Sequence, residues 1–115
     1  MFWSDKEEYN DFTPALRRTL KKEYCLDIPD SAKLTQGEYR GSWDYSSLEV
    51  SFLVRADEFE GMLTDGAWTE SEGDRHAIAV YTLSSGRKRS GAKLTVTYYD
   101  GYEGLYRCYL KYGAY

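Results

Sequence analysis

Residues 98–115 read YYDGYEGLYRCYLKYGAY, and seven of the chain's twelve tyrosines lie within them. Asp100-Gly101 is a favoured tight-turn dipeptide, so the stretch reads as two aromatic-rich strands meeting at a hairpin. From Leu105 to Tyr112, Tyr106, Cys108, Leu110 and Tyr112 fall on one face of the second strand, and Arg107, Tyr109 and Lys111 on the other. Cys108 is thereby predicted to point at the layer that covers the sheet. Tyrosine joins a large ring to a polar tip, so such a row either lines a core or presents a binding surface.

Working back from this hairpin, the same period of two recurs. Leu48, Val50, Phe52 and Val54 alternate with Ser47, Glu49, Ser51 and Leu53, the clearest strand pattern in the chain. Lys33 to Gly41, His76 to Leu83 and Ala92 to Tyr99 read as further strands. Ser42 to Tyr45 turns the first into the strong one, and Ser84 to Gly91 is a polar loop between the other two. The period becomes 3.6 between Pro14 and Tyr24, where Leu16, Leu20 and Tyr24 share a stripe among Arg17, Arg18, Lys21 and Lys22. Thr13-Pro14 is a good start for that helix, because proline at the first helical position loses nothing by lacking an N–H. Ile28-Pro29-Asp30 ends it. Ser4-Asp5-Lys6-Glu7 matches a capping box and reads as another helix start. Ala56 to Leu63 reads as a short helix with Phe59, Met62 and Leu63 on one side, and Thr64 to Asp74 as a loop. The expectation is one α+β domain over residues 1–115, with an amphipathic helix on an antiparallel sheet of four or five strands and a second short helix. Its 115 residues are enough for one ordinary core.

Charge is distributed unevenly. The net charge is −4, which argues against nucleic acid as the main partner. From Ala56 to Asp74 the acids Asp57, Glu58, Glu60, Asp65, Glu70, Glu72 and Asp74 occur with no Lys or Arg, and a basic tip follows at Arg87, Lys88, Arg89 and Lys93. Such a stretch is a solvated face that keeps a domain soluble, or an acidic surface that docks on a basic partner with electrostatic steering.

Catalytic signatures are missing. The only histidine, His76, begins a strand beside Asp74 and Arg75, and no GxxxxGK[ST], GxGxxG, GxSxG or HExxH occurs. Asp65 to Asp74 has the composition of a calcium loop, but Ala67 stands where an oxygen ligand is required, so neither a metal nor a cofactor is expected. Cys25 and Cys108 are too far apart for CxxC chemistry or a zinc knuckle. They either stay as buried thiols or close a disulfide, which would imply an exported protein. No apolar run is long enough for a membrane span and Phe2-Trp3-Ser4-Asp5-Lys6 is not a signal peptide, so the chain reads as soluble, or as extracytoplasmic if an upstream signal was removed.

The stretch from Leu26 to Leu63, with Ile28-Pro29-Asp30-Ser31-Ala32 after a helix, a strand pair, and Asp57-Glu58-Phe59 opening a short helix, resembles a pattern in small uncharacterised bacterial proteins. Some of these are lipid-anchored envelope proteins and others immunity-like partners of toxins. The resemblance implies a bacterial, non-enzymatic protein and brings no active site.

Two functional expectations follow. One is an interaction module, of the immunity or inhibitor kind, that covers a basic site on another protein with Asp57, Glu58, Glu60, Asp65, Trp68, Glu70 and Glu72. In this reading Trp68 is the anchor, although Trp43 and Trp68, both in predicted turns, could equally be lids over the core. The other is a lipoprotein-like extracytoplasmic binding domain whose ligand surface is built from Tyr98, Tyr102, Tyr106 and Tyr109.

Overall fold

The computed structural model describes residues 4–9, 11–42, 46–72, 77–86, 89–98 and 104–114, with residues 4–9, 40–42, 46, 72 and 114 described by their backbone alone. Trp43, Asp74, His76, Arg87, Lys88, Tyr102 and the Asp100-Gly101 turn lie outside this set. The elements in chain order are β1 (Ser4–Tyr9), α1 (Pro14–Tyr24), β2 (Lys33–Ser42), β3 (Ser46–Arg55), α2 (Ala56–Met62), β4 (Trp68–Glu72), β5 (Ala79–Leu83), β6 (Lys93–Tyr98) and β7 (Leu105–Ala114). The strands make one antiparallel sheet in the order β1-β2-β3-β7-β6-β5-β4.

The α+β class and the antiparallel sheet agree with the sequence, but the sheet has seven strands rather than four or five. The two additions are its edges. Ser4 to Tyr9 is a strand, not a helix start: it pairs with β2 from Ser4↔Ser42 to Tyr9↔Gly37, and a whole ladder outweighs the few bonds a local capping box offers. Trp68 to Glu72, expected to be loop, pairs with β5 from Trp68↔Leu83 to Glu72↔Ala79. A turn at Thr64–Ala67 feeds β4. Its central residues Asp65 and Gly66 both have positive φ, 61° and 58°, and the Ala67 N–H donates to the Thr64 carbonyl at 3.3 Å. Asp-Gly favours this geometry because neither residue is penalised heavily in the left-handed region.

The helix starts and stops have local causes. Thr13 caps α1, its hydroxyl accepting from the Leu16 N–H at 3.1 Å, with Pro14 at the first helical position. Cys25 ends it in the left-handed region at φ 54°, and the Leu26 N–H closes back on the Leu20 carbonyl at 3.1 Å. Arg17 then fixes the chain beyond the helix, donating to the Ile28 carbonyl at 2.8 Å while its guanidinium lies over the Phe12 ring. α1 buries Leu16, Leu20 and Tyr24 and leaves Arg18, Lys21 and Lys22 exposed.

Both helices lie on the same face of the sheet. Leu48, Val50, Phe52 and Val54 on β3, Leu94 and Val96 on β6, and Cys108 and Leu110 on β7 form a single cluster with Leu16, Leu20, Phe59 and Met62. Phe12 meets Phe52 edge-on at 5.6 Å, and Tyr24 meets Tyr112 at 6.0 Å. The opposite face shows a polar row in register, Glu49, Lys111, Lys93 and Thr82, with a 3.8 Å ion pair between Lys111 and Glu49. The alternation read in β3 and β7 is thus the difference between a covered and an uncovered face.

Cys25 and Cys108 are both buried free thiols, and no disulfide joins them. Cys25 sits at the end of α1 and Cys108 in the middle of β7. Burial alone pushes the Cys108 thiol up to about 12.

An acid-rimmed aromatic cleft

Seven residues make α2, too few for a helix to persist by itself in water. Tertiary contacts therefore hold it. Phe59 and Met62 are buried, and the Phe59 ring packs against Tyr81 of β5 at 5.5 Å and against Tyr106 of β7 at 5.6 Å. Tyr98 of β6 adds an edge-on contact to Tyr106 at 6.0 Å. At its first turn the Ala56 N–H donates to the Gly104 carbonyl at 2.7 Å, which fixes α2 to the turn that opens β7.

Between α2 and strands β4 to β7 this arrangement leaves a cleft of about 250 Å³. Its floor is Phe59, Tyr81, Val96 and Tyr106, and its rim carries the carboxylates of Asp57, Glu60 and Glu70. None of the lining residues is basic. Glu60 and Glu70 are exposed to solvent, and Glu70 accepts a 3.3 Å hydrogen bond from the Tyr81 hydroxyl. The Tyr81 phenol is pushed above its usual range by burial first, then by the negative field and hydrogen bond of Glu70, with Glu60 adding to the field.

The expected acidic contact residues separate into groups. Asp57, Glu60 and Glu70 come together in the cleft. Arg55 Nη2 meets Asp57 at 2.8 Å and Arg55 Nε lies 3.6 Å from Glu58, and Glu58 also accepts from the Ser31 hydroxyl at 2.6 Å. Glu58 thus turns toward the Ile28–Ala32 segment. Asp65 occupies the turn before β4, and Glu72 ends β4 on the same alternation as Glu70. Trp68 is committed inward: its indole N–H donates to the Tyr24 carbonyl at 3.0 Å, with the Cys25 carbonyl 3.3 Å away. It clips β4 to the end of α1, the behaviour of a lid and not of a projecting anchor.

Of the four tyrosines of the alternative ligand surface, Tyr102 lies outside the described residues and the other three do not share a face. Tyr98 and Tyr106 touch on the helix side, whereas Tyr109 lies on the uncovered side, paired in register with Ser51 and Thr95. Its phenol is raised by burial and then by Glu49. Sequence reasoning missed Tyr81 and took Phe59 for core alone. The available signal was the alternation Ala79, Tyr81, Leu83, which places Tyr81 among inward-facing residues.

A second cleft, about 290 Å³, lies between α1 and the sheet and is lined by Leu16, Tyr24, Tyr39 and Leu48 with Glu23 and Arg89. Its charges answer one another, since Arg89 Nη2 is 2.7 Å from Glu23 and the guanidinium lies over the Tyr112 ring. The cleft beside α2 differs in that Asp57 is answered by Arg55 from outside the lining, while Glu60 and Glu70 face no basic lining residue. No group of His, Cys, Asp and Glu among the described residues is arranged to hold a metal ion, and no described helix is long and apolar enough to cross a membrane. Comparison with protein-family models, with curated proteins and with solved structures finds no match to this chain.

Proposed function

We propose that the domain is a non-enzymatic interaction module, of the inhibitor or immunity kind, whose cleft beside α2 receives a basic side chain from a protein partner. The supporting observation is the convergence of Asp57, Glu60 and Glu70 over the rings of Phe59, Tyr81 and Tyr106 with no basic lining residue. Carboxylates at the rim attract a cation and ring faces stabilise it once partly desolvated. Size favours a side chain over a cofactor, because about 250 Å³ lies below the 300–1,000 Å³ usual for small-molecule sites. The rim acids also raise the association rate with a basic surface, at the cost of sensitivity to salt. The tyrosine-lined reading contributes Tyr106 to this same cleft, with the solvent-exposed Tyr98 touching its ring edge-on.

Titration with acetyl-lysine N-methylamide and acetyl-arginine N-methylamide, followed by NMR, tests the reading. Saturable shifts are expected at Phe59, Tyr81 and Tyr106, weakened about three- to tenfold in a Glu60→Gln/Glu70→Gln variant, as for the loss of two exposed charge contacts. Shifts that never saturate, or equal affinity in the variant, would refute it.

A further inference from the structure

Beside the cleft the sheet ends in β4, and no described strand lies beyond it. The Ser84 N–H donates to the Ala67 carbonyl at 2.8 Å, and the ladder continues through Thr69↔Thr82 and Ser71↔Val80. In an antiparallel pair the direction of the backbone groups alternates. Thr69 and Ser71 therefore turn theirs toward β5, as the Ala67 carbonyl does, and Trp68, Glu70 and Glu72 turn their N–H and C=O groups to the open edge. The bonds formed outside helices and strands include none to these outward groups among the described residues. Glu70 consequently does two things at one position: its side chain rims the cleft, and its backbone presents an outward donor and acceptor that no described residue takes up.

Resting on the cleft reading above, we propose that the partner presents its basic residue on an extended segment that adds to the edge of β4 as an eighth strand. In this mode main-chain bonds supply affinity and alternate side chains supply specificity. The residue opposite Glu70 exchanges both backbone bonds with it and projects its side chain to the helix side. A lysine or arginine there meets Glu70 directly and reaches Glu60 and Asp57, which line the same cleft. Residues at i±2 fall on the same side, and the intervening ones face the polar side of the sheet, beside Thr69 and Ser71. Edge strands that must not pair are kept short and charged, and β4 is both; its charge is of one sign along the outward positions, Glu70 and Glu72, so it repels acidic strands and admits basic ones.

The test uses three hexapeptides: acetyl-Thr-Lys-Val-Lys-Val-Thr-amide, the same peptide N-methylated at both lysines, and the same peptide N-methylated at both valines. With lysine opposite Glu70, the lysine N–H bonds to β4 and the valine N–H points away. N-methylation at the lysines is expected to weaken binding at least about tenfold, and N-methylation at the valines to change it by less than about threefold. The unmodified peptide should also slow amide exchange at Trp68 and Glu70. Equal binding of all three, or no protection at those amides while the lysine amide still saturates the cleft, overturns strand addition and leaves the cleft reading standing. If neither the peptides nor the single-residue amides bind, both fall, and β4 is an edge guarded against pairing.

Discussion

Trp68 shows how one side chain ties two distant parts of the chain together. Its indole N–H reaches the carbonyls that end α1, where Cys25 takes a left-handed conformation and its own carbonyl also accepts from the Thr64 N–H at 3.1 Å. Phenylalanine keeps most of the ring and removes the donor, so Trp68→Phe is expected to cost about 1–2 kcal/mol, the usual effect of leaving a part-buried acceptor unanswered. Urea unfolding reads this directly: a midpoint equal to the parent's would mean that solvent satisfies those carbonyls. The candidate site was partly legible at this scale. Asp57, Glu60 and Glu70 stand out as acids in a stretch without bases, but nothing in their spacing separates them from Glu58, which the fold assigns to Ser31 and Arg55. Only the return of β5 and β7 past α2 decides which carboxylates share a rim.

At the scale of the elements, α1 is bounded by residues whose preferences are local. Thr13→Ala removes the cap on the Leu16 N–H and is expected to lower stability by about 1 kcal/mol, while Thr13→Asn should leave it nearly unchanged. An equal loss in both variants would point to the threonine methyl rather than to the cap. This locality explains why Pro14 to Tyr24 could be read from the sequence to the residue, and β3 and β7 nearly so: proline, the heptad-like stripe and strict alternation carry the information within each segment. β1 and β4 are opposite cases. SDKEEY and WTESE carry no alternation of apolar and polar residues, because an edge strand has little to bury and is kept charged. Their pairing is set by β2 and β5, which already run beside them, and so lies in no window of local sequence. The Ser4–Glu7 capping pattern failed for the same reason, with long-range pairing overriding it.

Across the whole molecule, 49 × 30 × 26 Å in extent, one sheet face is dry and the other wet, and the dry face governs response to alkali. Burial raises Cys108 from 9.0 to about 12, and burial also raises the phenols of Tyr24 and Tyr81 on that face. These groups are neutral on both sides of unfolding below pH 9. Above it the unfolded chain loses protons that the folded one retains, so the stability they contribute is fully present below about pH 9 and falls as pH rises toward 12, by at most about 1.4 kcal/mol per pH unit for each group. Urea midpoints should be level from pH 7 to 8.5 and then decline, less steeply in Cys108→Ala; a level profile to pH 11 would contradict the burial of these groups.

The strand order carries one more consequence. β7 is the last of the described strands, yet it lies between β3 and β6 and is the one described element bonded to both halves of the sheet. During synthesis, β1 to β3 and β4 to β6 emerge as two separate meanders, each ending in a strand whose outer groups await the same missing neighbour. Such non-local closure is slow. A nascent chain halted on the ribosome before Leu105 would expose the unpaired backbone edges and apolar inner faces of β3 and β6 together, and would be bound by holding chaperones as unfinished sheet instead of surviving as a stable half-domain.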